Sequence, residues 1–229
     1  MNQHQVHLDI YQLRIVLRGI SPLIWRRLLV RSDTTLTQLH LMLQILFDWS
    51  NQHLHHFHIF GKDYGSNGAD TRHVMLSAFG FQRGERFRYI YNFFAQWQCD
   101  IRLESTLPFD PQRFYPVCTG GKRPAPPEHV QDAWTYLELL DAHRYPPFEA
   151  ILTLAGTAQA LLDAPAGVSI REAIGDLDEI REAMNRLETY DQFQPSAFTR
   201  RHINVQLRRQ TWTGDPDDEI QGAGRHPEG

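Results

Sequence analysis

The sequence predicts an α+β fold: an antiparallel β-sheet of about four to six strands packed against helices, with a helical C-terminal half. Three observations predict it. Residues 10–19 and 87–103 alternate apolar and polar side chains with the period of a half-buried strand. Leu36, Leu39, Leu43 and Phe47 recur instead at helical spacing. Past residue 130 the alternation stops and helical patterns take over.

In the first strand Tyr11, Leu13, Ile15 and Leu17 share one face, and Gln12, Arg14, Val16 and Arg18 the other. The run Gly19-Ile20-Ser21-Pro22 reads as a turn, and residues 24–31 return as a second strand. Residues 32–35 carry side-chain oxygens suited to capping a helix that ends near Asp48. Residues 53–60 form the next strand. It places His53, His55, Phe57 and Ile59 on one face, and Leu54, His56, His58 and Phe60 on the other. Residues 61–70 read as a loop and 76–81 as a short helical turn. Two neighbouring strands follow, joined across residues 94–96. Residues 118–127, rich in glycine and proline, read as a rigid loop. Helices are expected over 129–142, 147–163, 169–175, 176–190 and 198–208. The domain organisation expected is a flexible 1–7, one α+β domain over 8–208 with a helical elaboration at about 143–195, and a disordered tail over 209–229.

Composition excludes several classes. Hydrophobic residues make up 41% and charged residues 22% of the 229, an ordinary globular balance. The net charge of −4 argues against a uniformly basic nucleic-acid binder, but not against a local basic face. Lys62 and Lys122 are the only lysines, so nearly all positive charge is arginine, as a GC-rich genome encodes. Two cysteines, Cys99 and Cys118, make neither a zinc ribbon nor a disulfide framework. No stretch reaches the ~18 apolar residues of a membrane span, and residues 1–14 lack an apolar signal region. These features together predict a cytoplasmic bacterial protein with no membrane partner.

A series of short signatures runs through the chain. It comprises Ile24-Trp25-Arg26-Arg27, Leu39-His40, Trp49, His53-Leu54-His55, Tyr89-x-Tyr91 and Trp97. Tyr115-Pro116-Val117-Cys118, Gly120-Gly121, Pro126-Pro127-Glu128 and Trp134-x-Tyr136 follow. In this order they resemble the plasmid pRiA4b ORF-3-like family, whose members are also described as insertion-element passengers of a TnpR-like type. The resemblance covers residues 8–140, with 198–207 similar to the family's closing segment. It implies an antiparallel sheet backed by helices and a plasmid- or mobile-element-associated protein. The family reads Tyr-Asp-Phe-Gly-Asp-x-Trp where this chain has Tyr91-Asn92-Phe93-Phe94-Ala95-Gln96-Trp97, so two carboxylates are missing, at Asn92 and at Ala95 or Gln96.

Four chemistries compete. His53 and His55 share a strand face, an arrangement that can chelate zinc or another divalent metal, with His40 and Glu128 as further ligands. The structural alternative is that these histidines are packing residues. Hydrolysis has no signature: Asp100, Glu104, Asp110 and Glu128 form no recognisable pair, there is no G-x-S-x-G elbow, and Cys118 lacks a diagnostic motif. The first hairpin is arginine-rich, and Arg14, Arg18, Arg26 and Arg27 are candidate phosphate contacts for a nucleic acid. The bland counterpart is a solvated face with scattered ion pairs. Finally, an exposed aromatic such as Phe94 would anchor a protein partner. The preferred function is a non-enzymatic binding module for nucleic acid or protein. The alternative is a metal-dependent enzyme centred on the histidine strand.

Overall fold

A computed structural model describes residues 8–193 and 197–212, without the side chain of Gln192. The expected flexible 1–7 lies outside the described residues, as does the expected tail apart from 209–212. The chain forms two compact units, one within Met1–Trp134 and Ser196–Gly229 and the other within Thr135–Pro195. Among the described residues no helix is long and apolar enough to cross a membrane.

The first unit is built on one antiparallel sheet of seven strands. In chain order these are β1 (Asp9–Leu17), β2 (Ile24–Arg31), β3 (His55–Ile59), β4 (Lys62–Gly65), β5 (Arg86–Tyr91), β6 (Trp97–Pro108) and β7 (Val117–Lys122). Their spatial order is β4-β3-β5-β6-β1-β2-β7. Seven is one more than the upper end of the expected number, and the two strands that the sequence leaves as loops are β4 and β7. Both are sheet edges, where a strand needs pairing on one side only and no continuous apolar face. Lys62-Asp63-Tyr64-Gly65 and Thr119-Gly120-Gly121 therefore carry no alternation to read.

Helix α1 (Leu36–Phe47) covers the inner face. Thr35 and Gln38 form a reciprocal capping box, each side chain bonding the other's backbone. Leu36, Leu39, Met42, Leu43, Leu46 and Phe47 are buried, each contributing roughly 1.5–3 kcal/mol of hydrophobic stabilisation. Leu13, Ile15, Leu17, Phe57, Tyr89 and Ile101, which share one face of the sheet, are buried as well. A further helix, α6 (Arg200–Arg209), packs against β7 and α1. Its Asn204 amide bonds both the N–H and the carbonyl of Cys118, at 2.8 and 2.9 Å, along the free edge of β7. Gly121 leaves room for Phe198, whose ring a Cβ would meet at 2.5 Å. After α6 the Trp212 carbonyl accepts a hydrogen bond from Gln38 at 2.8 Å.

The second unit is helical: most of α2 (Ala133–Ala142), then α3 (Phe148–Leu162), α4 (Ile170–Ile174) and α5 (Leu177–Gln192). Ser169 and Asp176 cap α4 and α5, Ser169 accepting from the Glu172 N–H and Asp176 from the Asp178 and Glu179 N–H groups.

Candidate functional site

Two polar constellations lie on opposite faces of the sheet. On the inner face, α1 places His40 and Gln44 one turn apart within its apolar stripe. Both reach the Tyr89 hydroxyl, His40 Nδ1 at 2.7 Å and Gln44 Nε2 at 2.8 Å. The proton inventory starts at Asn51. Its Oδ1 can only accept, so Nε2 of the His40 ring carries the proton and donates to it at 2.5 Å. Nδ1 of the neutral ring then accepts from the Tyr89 hydroxyl, which itself accepts from Gln44. Gln44 Oε1 accepts the Asn51 N–H at 3.1 Å, closing the ring.

His55 stacks on His40, ring centroids 3.5 Å apart and planes within 6°. Its Nε2 is buried without a hydrogen-bond partner. Burial lowers His40 to about 4, against a smaller upward pull from Asn51. Burial, with the neighbouring His40 and His56, lowers His55 to about 3. Both rings are neutral at pH 7. Nearby, Glu128 accepts from the Ser50 N–H at 2.8 Å and from the Tyr91 hydroxyl, and lies 3.9 Å from Nε2 of half-exposed His53. Burial pushes the Glu128 carboxyl up, but the Ser50 and Tyr91 hydrogen bonds prevail and hold it below the usual range.

The expected ligands His40, His53, His55 and Glu128 thus gather on one face, but not as a ligand set. His40 has no lone pair left: Nδ1 accepts from Tyr89 and Nε2 carries the proton given to Asn51. Among the described residues no group of three or more His, Cys, Asp or Glu is arranged to hold a metal ion. Sequence reasoning missed Gln44, Asn51 and Tyr89, although two polar residues one turn apart inside an apolar stripe were a visible signal. Asn92 shapes the β5–β6 turn: at φ 53° its Oδ1 accepts from the Phe94 and Ala95 N–H groups. Phe94 itself is exposed. Both thiols are buried, which raises their pKa values.

The outer face carries the second constellation. Strand register aligns Arg86 with Arg102, Arg102 with Arg14, and Arg14 with Arg27. Four arginines therefore stand side by side across β5, β6, β1 and β2. Like charges directly opposite one another destabilise a sheet, so the row needs a counter-charge. Glu104 supplies one from a β-bulge: Leu13 pairs with Leu103 and Gln12 with Ser105, which leaves Glu104 the unpaired residue. Its carboxylate grips Arg27 at 2.6 and 3.1 Å and accepts from Gln12 at 2.9 Å. It also lies 3.8 Å from Arg14 and 3.7 Å from Arg102. The Arg27 hydrogen bond leads in holding the Glu104 carboxyl low. In the next row Asp100 lies 3.7 Å from both Arg18 and Arg88. Six arginines here share two carboxylates, and Arg86 makes no ion pair with a described residue.

Of the expected phosphate contacts, Arg14, Arg18 and Arg27 belong to this face. Arg26 does not, because successive strand residues point to opposite sides. It is buried, donating to the carbonyls of Leu46, Trp25 and Lys122 at 2.9, 2.9 and 3.2 Å. Its guanidinium lies over the Phe47 and Phe198 rings and satisfies a carbonyl at the negative end of α1.

Fold and faces together define a class: an α+β protein whose antiparallel sheet carries a buried histidine–tyrosine network on one side and an arginine row on the other. The chain belongs to the plasmid pRiA4b ORF-3-like protein family, whose signature matches residues 9–155. It is 30% identical over 149 residues to the uncharacterized protein y4hQ of Sinorhizobium fredii (strain NBRC 101917 / NGR234), covering 62% of this chain and 76% of that one. It is also similar to the crystal structure of the protein of unknown function MM3350 from Methanosarcina mazei Go1. That likeness has 28% identity and a TM-score of 0.60, over 85% of this chain and 96% of that one.

Proposed function

We propose that this protein is a non-enzymatic binding module, cytoplasmic and carried by mobile elements, that engages the phosphate backbone of a nucleic acid through the outer face of its sheet. The observation that carries the reading is the cross-strand row Arg86–Arg102–Arg14–Arg27, with a single carboxylate set into it. Guanidinium groups suit phosphate oxygens by geometry as well as by charge. Arg86 is exposed and Arg102, Arg14 and Arg27 are half-buried, and cations held at fixed spacing by a sheet require little ordering on binding. The metal-enzyme alternative gains nothing from the inner network, where His40 is saturated by hydrogen bonds.

An anisotropy titration of a mixed-sequence 20-mer, single-stranded and duplex, tests the reading at low and moderate salt. Micromolar or tighter binding that weakens steeply with salt is expected, and the double variant Arg14→Gln/Arg27→Gln should lose about tenfold. No binding of either form at micromolar protein would sink the proposal.

A further inference from the structure

We propose that the nucleic acid taken by this face is single-stranded, laid across the strands with its phosphates along the arginine row and its bases over the row beside it. This rests on the phosphate-backbone reading above. Width is the first argument. The arginine row lies inside a seven-stranded sheet, roughly 28 Å across at about 4.8 Å per strand. A duplex major groove, at about 12 Å, admits a helix or a two-stranded ribbon but not such a sheet.

Charge is the second argument. The Glu104 carboxylate sits within the cation row, held by Arg27 and close to Arg14 and Arg102, while Arg86 makes no ion pair with a described residue. Asp100 flanks the row on one side, with Arg88 and Val16 as its cross-strand neighbours. Rows two residues apart along a strand are roughly 7 Å apart. One phosphate file can follow the row from Arg86, whereas the second backbone of a duplex laid over the flanking row would meet Asp100.

The neighbouring row supplies the third argument. In register it reads His58, Arg88, Asp100, Val16 and Trp25 across β3, β5, β6, β1 and β2. Rings stand at both ends. The Arg14 and Arg27 guanidinium groups lie over the Trp25 ring, 4.7 and 5.5 Å from its centroid, so the stacking planes offered there are their own. Unpaired bases stack on aromatic rings and guanidinium planes, whereas paired bases keep their faces inside the helix.

The test uses the full chain and three fluorescein-labelled probes: a 15-nucleotide oligothymidylate, a 15-nucleotide oligouridylate and a 15-base-pair duplex. Expected is binding of at least one single strand about tenfold tighter than the duplex, and the tighter of the two names the sugar. His58→Ala, at an exposed ring, is expected to weaken single-strand binding about fivefold and leave duplex binding unchanged. Arg86→Gln is expected to reduce the salt slope of single-strand binding by about 0.7. Duplex bound as tightly as either strand, or a His58→Ala variant with full single-strand affinity, overturns this inference and leaves the backbone reading standing. Failure of all three probes to bind removes both.

Discussion

His40 and His55 show how a histidine cluster can be decided by proton counting. His40 has one admissible tautomer, because the Asn51 Oδ1 that faces its Nε2 can only accept. The pair also sets an acid limit. Unfolded histidines bind protons below about pH 6.5, whereas these hold none until about pH 4 and 3. The unfolded chain therefore gains protons first as pH falls, and the folded state loses stability through that window. For His40 alone the loss is roughly 3 kcal/mol. The melting temperature should fall steadily from pH 7 to pH 4.5, and a flat profile would contradict the neutral pair. Arg26 is a second residue-scale case. Arg26→Leu would orphan the carbonyls of Leu46 and Lys122 and should cost about 2–4 kcal/mol in urea unfolding, with oligonucleotide affinity unchanged when assayed cold.

The β6 bulge joins local geometry to recognition. One extra residue turns Glu104 out of the ladder and into a row of like charges. Glu104→Gln would keep the Gln12 contact and remove the counter-charge. It should destabilise the fold at neutral pH, where the depressed carboxyl is ionised, and matter less as pH falls below the carboxylate range. The same variant should bind oligonucleotide several-fold tighter, because one local competitor for the arginines is gone. A loss of affinity would mean that Glu104 orients the row more than it blocks it. The cap of α1 is simpler: Thr35→Ala should cost about 1 kcal/mol in the same unfolding assay.

At the scale of the molecule, a chain of net charge −4 carries a basic face, so its field is lopsided. Association with a polyanion should slow markedly between 50 and 200 mM salt in stopped-flow fluorescence, while dissociation changes less. Much of this architecture was legible in the sequence. Residues 10–17 and 97–103 carry a period of two, and 36–47 a helical one, because each element buries one face. Edge strands β4 and β7 bury too little to imprint a period. The inner network showed only as a histidine count and as His40 and Gln44 one turn apart in an apolar stripe, since its meaning depends on Tyr89, 49 residues from His40, and on the loop residue Asn51. The arginine row was half visible. That Arg14 and Arg18 share a face follows from alternation, and that Arg26 and Arg27 cannot follows from the same rule. That Arg86 and Arg102 fall into line depends on strand register, which no single segment encodes.

The amide of Asn204, laid along Cys118, acts as a terminator for the sheet. It occupies the N–H and carbonyl that a strand from another chain would use to dock. At the opposite edge, charged Lys62 and Asp63 and the fold-back of Ala69 onto Tyr64 block the same approach. Asn204→Ala should therefore leave the arginine face intact while letting two copies pair through β7 in a concentrated solution, visible as a doubled mass in light scattering. At that edge, the choice between one copy and two would then rest on a single amide.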